Sequence, residues 1–125
     1  AKLERMARIV GKDALPPRQQ HVLLCAGLIN EAFLRQSAFS ENDRYCSAAK
    51  QAGMMQLIER FIELSAAAVE ARVSVEDIGR LPVLRKLRRM GEEISNDDPE
   101  QLEALGKALE TAFMQMTVRE AGDAG

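Results

Sequence analysis

Apolar residues recur at steps of three and four along almost the whole chain, and this spacing constrains the fold more than any other feature of the sequence. No segment alternates apolar and polar residues in the way that a half-buried strand requires. We therefore predict an all-α protein, a compact bundle of about five to six helices joined by short loops. With 125 residues the chain can bury a core as one domain. We expect that domain over residues 1–120 and a frayed tail over residues 121–125.

Proline and capping residues divide the chain into individual helices. Ser47 and Ser74 each precede an apolar-periodic run and are expected to cap it. Asp98 is expected to cap the last helix, with Pro99 in its first position. Residues 37–46 lack periodicity and are expected to form a turn-rich connection. The predicted helices cover residues 2–10, 17–36, 47–72, 74–81, 82–94 and 99–119.

Composition excludes several classes of protein. Seventeen Lys and Arg against nineteen Asp and Glu give a net charge of −2, so no global positive field attracts nucleic acid or an anionic membrane. The longest apolar run is too short to span a membrane. Cys25 and Cys46 form no C-x-x-C pair, which argues against a disulfide scaffold or a zinc site and favours a reducing compartment. The single histidine, His21, has no metal-ligand pattern around it and is expected on the surface or on a helix flank.

Three further features of the sequence bear on the surface and the core of the predicted bundle. The basic cluster Arg85-Lys86-Arg88-Arg89 could touch phosphates, but neighbouring acids favour a solvated face. Apolar residues in the helix 17–36 should form one buried stripe, made of Cys25, Leu28, Ile29, Ala32 and Phe33. Methionine side chains could line a binding groove that adapts to different partners. The preferred interpretation is that they fill the core, and it applies to Met54, Met55, Met90, Met114 and Met116.

Two phenylalanines flank a predicted helix end, at Phe33 and Phe39. They could form a flat apolar edge of the kind that an adenine ring needs. From the residues alone, an apolar contact that holds the loop against the bundle explains the two phenylalanines better.

One central stretch resembles a known protein family. Residues 33–39 read F-L-R-Q-S-A-F, and they are followed by D-R-Y-C at 43–46 and K-Q at 50–51. This series resembles the F-L-Q-Q-N-A-F, D-x-Y-C and K-Q motifs of the catalytic A subunit of V-type and archaeal-type rotary ATPases. Residues 9–16, I-V-G-K-D-A-L-P, and residues 81–90, which begin L-P-V, are similar to further motifs of that family.

The resemblance covers residues 6–90 and implies the C-terminal helical domain of such a subunit. In that family the phosphate-binding lysine, the magnesium ligands and the acid that orients water all lie upstream of this domain. The resemblance therefore implies no catalytic residue, no metal ligand and no cofactor in the chain itself. It implies ATP or ADP with magnesium in the parent subunit.

The resemblance also implies two contact sites. One closes over the adenine ring and corresponds to Gln36, Ala38 and Phe39, with Ser37 where the family commonly has asparagine. The other pushes on the central rotor shaft, and its two prolines favour a stiff contact. This second stretch, called the tip segment below, comprises Asp13, Ala14, Leu15, Pro16, Pro17, Arg18 and Gln19.

The resemblance implies several partners: the remainder of the A subunit, neighbouring B subunits and the rotor subunit of the central stalk. It implies coupling of ATP hydrolysis or synthesis to proton or sodium transport, and a cytoplasmic location in a catalytic head peripheral to the membrane. No nucleic acid and no membrane insertion are expected. A second hypothesis is a free-standing all-α adaptor that binds other proteins through an apolar groove.

Overall fold

The computed structural model describes residues 15–34 and 47–124. Within these two stretches the secondary structure is helical throughout, with no strand, so the all-α prediction is confirmed. The helix expected over residues 2–10 and the connection expected over residues 37–46 lie outside the described residues. The helices are α1 (Pro17–Ile29), followed by a π-helical turn (Asn30–Leu34), then α2 (Ala48–Glu70), α3 (Val75–Gly79), α4 (Pro82–Glu93) and α5 (Pro99–Ala124).

Two serine caps begin helices where the sequence predicts them. The Ser47 hydroxyl accepts a hydrogen bond from the Lys50 main-chain N–H at 3.1 Å, at the start of α2. The Ser74 hydroxyl accepts one from the Asp77 N–H at 3.1 Å, at the start of α3. Each cap satisfies a main-chain donor that has no partner inside its helix.

Proline begins the other three helices, at Pro17, Pro82 and Pro99. Proline suits this position because its fixed φ is helical and its missing N–H would have no intrahelical partner. Before α5, the Asp98 carboxylate accepts a hydrogen bond from the Gln101 side-chain amide at 2.6 Å. The Gln101 main-chain N–H donates to the Asp98 main-chain oxygen at 3.3 Å, so the carboxylate that was expected to cap α5 bonds a side chain instead.

Helix α2 ends earlier than the predicted residue 72, because Arg72 has a φ of 72°. The Val73 N–H donates to the Ala68 oxygen and the Arg72 N–H donates to the Val69 oxygen, both at 3.0 Å. These two bonds form the termination motif in which a left-handed residue, usually glycine, stops the helix. Arginine occupies that position here. By contrast, α5 continues past its predicted end to Ala124.

The core lies between α2 and α5, with α1 and α4 packed against this pair. The rings of Phe61 and Phe113 have centroids 5.9 Å apart and planes at 59°, a favourable tilted arrangement. A Cβ on Gly53 would lie 2.9 Å from the Leu102 Cδ1 atom, so glycine permits the close approach of α2 and α5. Other fully buried side chains are Met54, Ile58, Ile78, Leu84, Leu87, Met90 and Leu109.

Three residues that the apolar pattern assigned to the core are exposed, and those assignments were wrong. The three are Ile29, Met55 and Met114, with exposed fractions of 40%, 49% and 66%. Each directly follows a buried residue, namely Leu28, Met54 and Phe113. Because adjacent residues on a helix differ by about 100° in direction, the core accepts only one of each pair. Core filling is confirmed for Met54 and Met90.

The helices within the described stretches do not combine the length and apolar content needed to cross a membrane.

Candidate functional site

The described part of the tip segment forms a braced corner at the start of α1. The Leu15 side chain is buried, and its main-chain oxygen accepts a hydrogen bond from the Gln20 side-chain amide at 2.7 Å. The Gln19 and Gln20 N–H groups both donate to the Pro16 oxygen at 3.0 Å. These bonds and the two fixed proline φ angles hold the corner in one shape. Its exposed residues are Pro16, Pro17 and Arg18.

Other residues predicted for the two contact sites lie outside the described residues. These are Asp13 and Ala14 of the tip segment and all three adenine-side residues, Gln36, Ala38 and Phe39. Their roles stay predictions.

The corner and the turn between α2 and α3 lie at the same end of the bundle. His21, in the first turns of α1, is hydrogen-bonded to Ser65 near the end of α2. Gln20 lines the same cleft as Val75, the first residue of α3. These contacts place the start of α1 beside the end of α2 and the start of α3.

A cleft of about 340 Å³ runs along α1 beside the corner. Two carboxylates line it, and each is already paired with a guanidinium. Glu31 Oε2 lies 3.4 Å from Arg88 Nε, and Glu76 Oε1 lies 2.6 Å from Arg80 Nη2. Within the described part of the chain, the cleft thus has an apolar floor and neutralised charges, which suits a packing surface better than an ionic ligand. The floor residues are Leu23, Leu24, Leu28 and Val75.

His21, Ser65 and Cys25 form a cluster of titratable and hydroxyl side chains near the corner. His21 Nε2 lies 2.6 Å from Ser65 Oγ and 3.4 Å from Cys25 Sγ. The Ser65 hydroxyl donates to the Ile62 oxygen at 3.2 Å, so we assign the Nε2–H tautomer, with the ring donating to Ser65. Burial lowers the pKa of His21 and raises the pKa of the Cys25 thiol.

This cluster is a structural tie between α1 and α2. The expectation that His21 lies on the surface or on a helix flank is corrected in part, because the side chain is half-buried and bonded to a helix far away in sequence. No group of three His, Cys, Asp or Glu side chains in residues 15–34 and 47–124 comes together as metal ligands would. The thiol of Cys25 is free and buried.

The structure gives Lys50 a role that the sequence reasoning missed. Its side chain is only 6% exposed, and the ammonium donates to the Gly91 oxygen at 2.8 Å in the last turn of α4. Carbonyls in a last turn have no intrahelical partner, and the helix dipole favours a cation there. Nearby, the Ser47 N–H donates to Asn96 Oδ1 at 3.2 Å. The sequence did contain one signal of this burial. Lys50 precedes the buried Met54 by four residues, so the two lie on the same face of α2.

The basic cluster on α4 mostly follows its prediction. Arg85, Lys86 and Arg89 are exposed, as a solvated face requires. Arg88 is half-buried and forms the ion pair with Glu31 that joins α4 to the π-helical turn after α1.

Comparisons with known proteins agree in identifying this helical domain. Residues 1–78 match the family model described as the C-terminal domain of V and A type ATP synthase. The A subunit of the A-type ATP synthase of Thermococcus onnurineus is 46% identical over 90 residues, which are 72% of this chain and 15% of that protein. The corresponding protein of Pyrococcus horikoshii is 40% identical over 90 residues, or 72% of this chain and 9% of that protein. That of Methanopyrus kandleri is 34% identical over 116 residues, or 93% of this chain and 20% of that protein.

The described fold is an all-helical domain with a proline-braced corner at one end. Because the family model matches more than half of the chain, the chain belongs to the family of C-terminal domains of V and A type ATP synthases. The resemblance drawn from the sequence motifs is thereby confirmed. The chain spans only a small part of the relatives that it matches.

Proposed function

We propose that the chain is the C-terminal lever domain of the catalytic A subunit of an ion-translocating V/A-type ATP synthase or ATPase. The observation that carries this proposal is the family match over residues 1–78, together with 46% identity to the A subunit of an A-type ATP synthase. In the parent protein, ATP hydrolysis or synthesis with magnesium is coupled to proton or sodium transport. The head that contains it lies on the cytoplasmic side, peripheral to the membrane.

The tip segment contacts the central rotor stalk. Support comes from the corner itself, where Pro16, Pro17 and Arg18 are exposed while the Leu15 side chain is buried as an anchor. A contact that transmits force must not yield, and hydrogen bonds from Gln20 and the fixed proline angles oppose bending. The Arg18 guanidinium has no ion-pair partner among the described carboxylates, so it is available to a partner.

The adenine-side residues Gln36, Ala38 and Phe39 contribute one edge of the nucleotide site. They follow α1 and the π-helical turn in sequence, whereas the tip segment ends at Gln19, in the first turn of α1. Helix α1 has 13 residues and a length of roughly 20 Å. Helix α1 and the π-helical turn thus carry the chain from the tip segment toward the proposed adenine-side residues.

The chain alone is proposed to do no chemistry, because ATP hydrolysis needs a phosphate cradle and a magnesium site that stabilise the transition state. We place these in the rest of the parent protein. Neighbouring B subunits and the rotor stalk complete the set of partners.

A cross-linking experiment on the assembled complex tests the rotor contact. Arg18→Cys carries a benzophenone label and is compared with Lys107→Cys, an exposed position on α5. We expect Arg18→Cys to form adducts with the central stalk, whereas Lys107→Cys should form none. Adducts of Arg18→Cys with other subunits only, in a complex that still contains the stalk, would overturn the proposal.

A further inference from the structure

A groove of about 570 Å³ lies between the start of α4 and the second half of α5, well away from the tip corner in sequence. We call it the α4–α5 groove. Apolar residues form its floor. Among them, Leu81, Ala112 and Met116 are only half-buried. On α5 the groove extends from Ala108 to Arg119, roughly 16 Å of helix. This length suits about three turns of a docked helix.

The charged side chains that line this groove are cations. Lys86 and Arg119 line it, both are exposed, and no carboxylate lines it among the described residues. Neither cation forms an ion pair with a described carboxylate. Glu92 and Glu93 follow on α4 and lie outside the lining. The lining of the groove is therefore cationic, although the whole chain has a net charge of −2.

Two further apolar side chains of α5 are exposed outside the groove. Met114 and Val118 are 66% and 67% exposed and lie one turn apart, and neither lines the groove. At about 100° per residue, Met114 lies roughly 130° around the helix from the groove-lining residues. Met114 is therefore a reference position on the outer face of α5.

We infer that the α4–α5 groove docks an acidic amphipathic helix of a partner protein. The floor takes an apolar stripe, and the cationic rims take Asp or Glu side chains at its edges. The chain's own segments outside the described residues do not supply this charge. Residues 1–14 contain four Lys or Arg and two Asp or Glu, a net charge of 4 − 2 = +2, and residues 35–46 contain two of each, a net charge of zero.

This surface goes beyond the lever role. The family model ends at residue 78, whereas the groove is built from residues 81–119. The docking site therefore lies outside the residues that the family model matches. It can be tested without the rest of the proposed complex.

The test uses the full chain with ¹³C-labelled methionine methyls. Met116 reports from the groove, and Met114 reports from the outer face of α5. Met55 reports from an exposed position on α2, while the fully buried Met54 and Met90 report that a variant is folded. The probe is a helical peptide of about 15 residues with Leu on one stripe and Glu elsewhere, and the matched peptide has Lys in place of Glu.

We expect the Glu peptide to shift the Met116 signal at low salt and to leave the Met114 and Met55 signals in place. Lys86→Glu with Arg119→Glu should weaken binding about tenfold or more, whereas Arg72→Glu, a charge reversal elsewhere, should change it less than about twofold. If the double reversal disturbs the Met54 and Met90 signals, Lys86→Gln with Arg119→Gln replaces it and should weaken binding in the same direction.

Three results would overturn the inference. The first is equal binding of the Lys peptide, and the second is equal binding of a single-stranded oligonucleotide, which would mean recognition of any polyanion. The third is a dependence of the Met116 signal on chain concentration without peptide, which would mean that a second copy fills the groove.

Discussion

The ammonium group of Lys50 donates a hydrogen bond to the main-chain oxygen of Gly91 at 2.8 Å, and this bond joins the first turn of α2 to the last turn of α4. The Lys50 side chain is almost fully buried. The unpartnered carbonyls and the negative end of the helix dipole in the last turn of α4 favour a cation at this position. The bond therefore ties the start of α2 to the end of α4.

Replacing this lysine should destabilise the domain. Lys50→Met keeps much of the aliphatic stem but leaves the Gly91 oxygen without this donor, which costs about 1–3 kcal/mol in the free energy of unfolding. Urea denaturation measures the change. Lys107→Met, at an exposed position, is the control and should stay within about 0.5 kcal/mol. Equal effects of the two variants would show that the buried bond contributes nothing specific.

The pH dependence of stability should contain a contribution from His21. Burial lowers its pKa below the ordinary value of 6.5, so the unfolded chain takes up the proton more readily than the folded chain does. The free energy of unfolding should therefore fall as the pH drops through 6.5 toward the lower pKa of the folded state. Above 6.5 the contribution is fully present.

This contribution is isolated with His21→Gln, since carboxylates that titrate in both proteins cancel in the comparison. Thermal unfolding is measured from about pH 7.5 to about pH 5.5. The parent should lose more stability than the variant over this interval. Parallel curves would contradict the assignment. At alkaline pH the Cys25 thiol acts in the opposite sense, because its raised pKa makes stability fall as the pH rises through 9.0.

Arg72 holds a backbone conformation that glycine adopts more easily. With φ at 72°, its Cβ is strained, and the side chain is exposed. Arg72→Gly should raise the free energy of unfolding by about 0.5–1 kcal/mol. Ala71→Gly is the matched control, because Ala71 has an ordinary φ of −82° and should gain nothing. A loss of stability in Arg72→Gly would mean that the arginine side chain stabilises the turn.

Local features of the fold could be predicted from the sequence, because their causes lie within a few residues. The caps Ser47 and Ser74 and the helix-starting prolines are examples, since each acts on its own first turn. The burial of Lys50 and the bond between His21 and Ser65 could not be predicted in this way. Their partners are 41 and 44 residues away, and only the packed structure brings them together.

The candidate site was predicted from a motif resemblance, and the structure adds the contacts that hold the corner in place. Two prolines in succession predicted a stiff turn between helices. The burial of Leu15 and its bond to the Gln20 side chain were not visible in the pattern, because a short stretch outside a helix has no periodicity to show which side chain faces inward. The apolar pattern likewise could not decide which of Leu28 and Ile29 is buried.

In the assembled complex, Phe39→Ala should weaken nucleotide affinity more than it slows the chemical step. Stacking on the adenine ring acts equally on the ground state and the transition state, so KM should rise while kcat changes little. Steady-state ATPase kinetics measure both constants, with Met55→Ala as a control at an exposed position. A large fall in kcat at unchanged KM would place Phe39 near the phosphates instead.

The lever role is tested most directly by the number of ions transported per ATP hydrolysed, measured on complexes in sealed vesicles after assembly is verified. Pro16→Gly combined with Pro17→Gly restores chain freedom at the corner, at about 0.4–1 kcal/mol per site through the unfolded state. Pro99→Gly makes the same chemical change at the start of α5. We predict that the double variant still hydrolyses ATP but transports fewer ions per ATP, while Pro99→Gly keeps the parent ratio. The same ratio in the double variant and the parent would contradict the account, because the stiffness of the corner would then play no part in transmission.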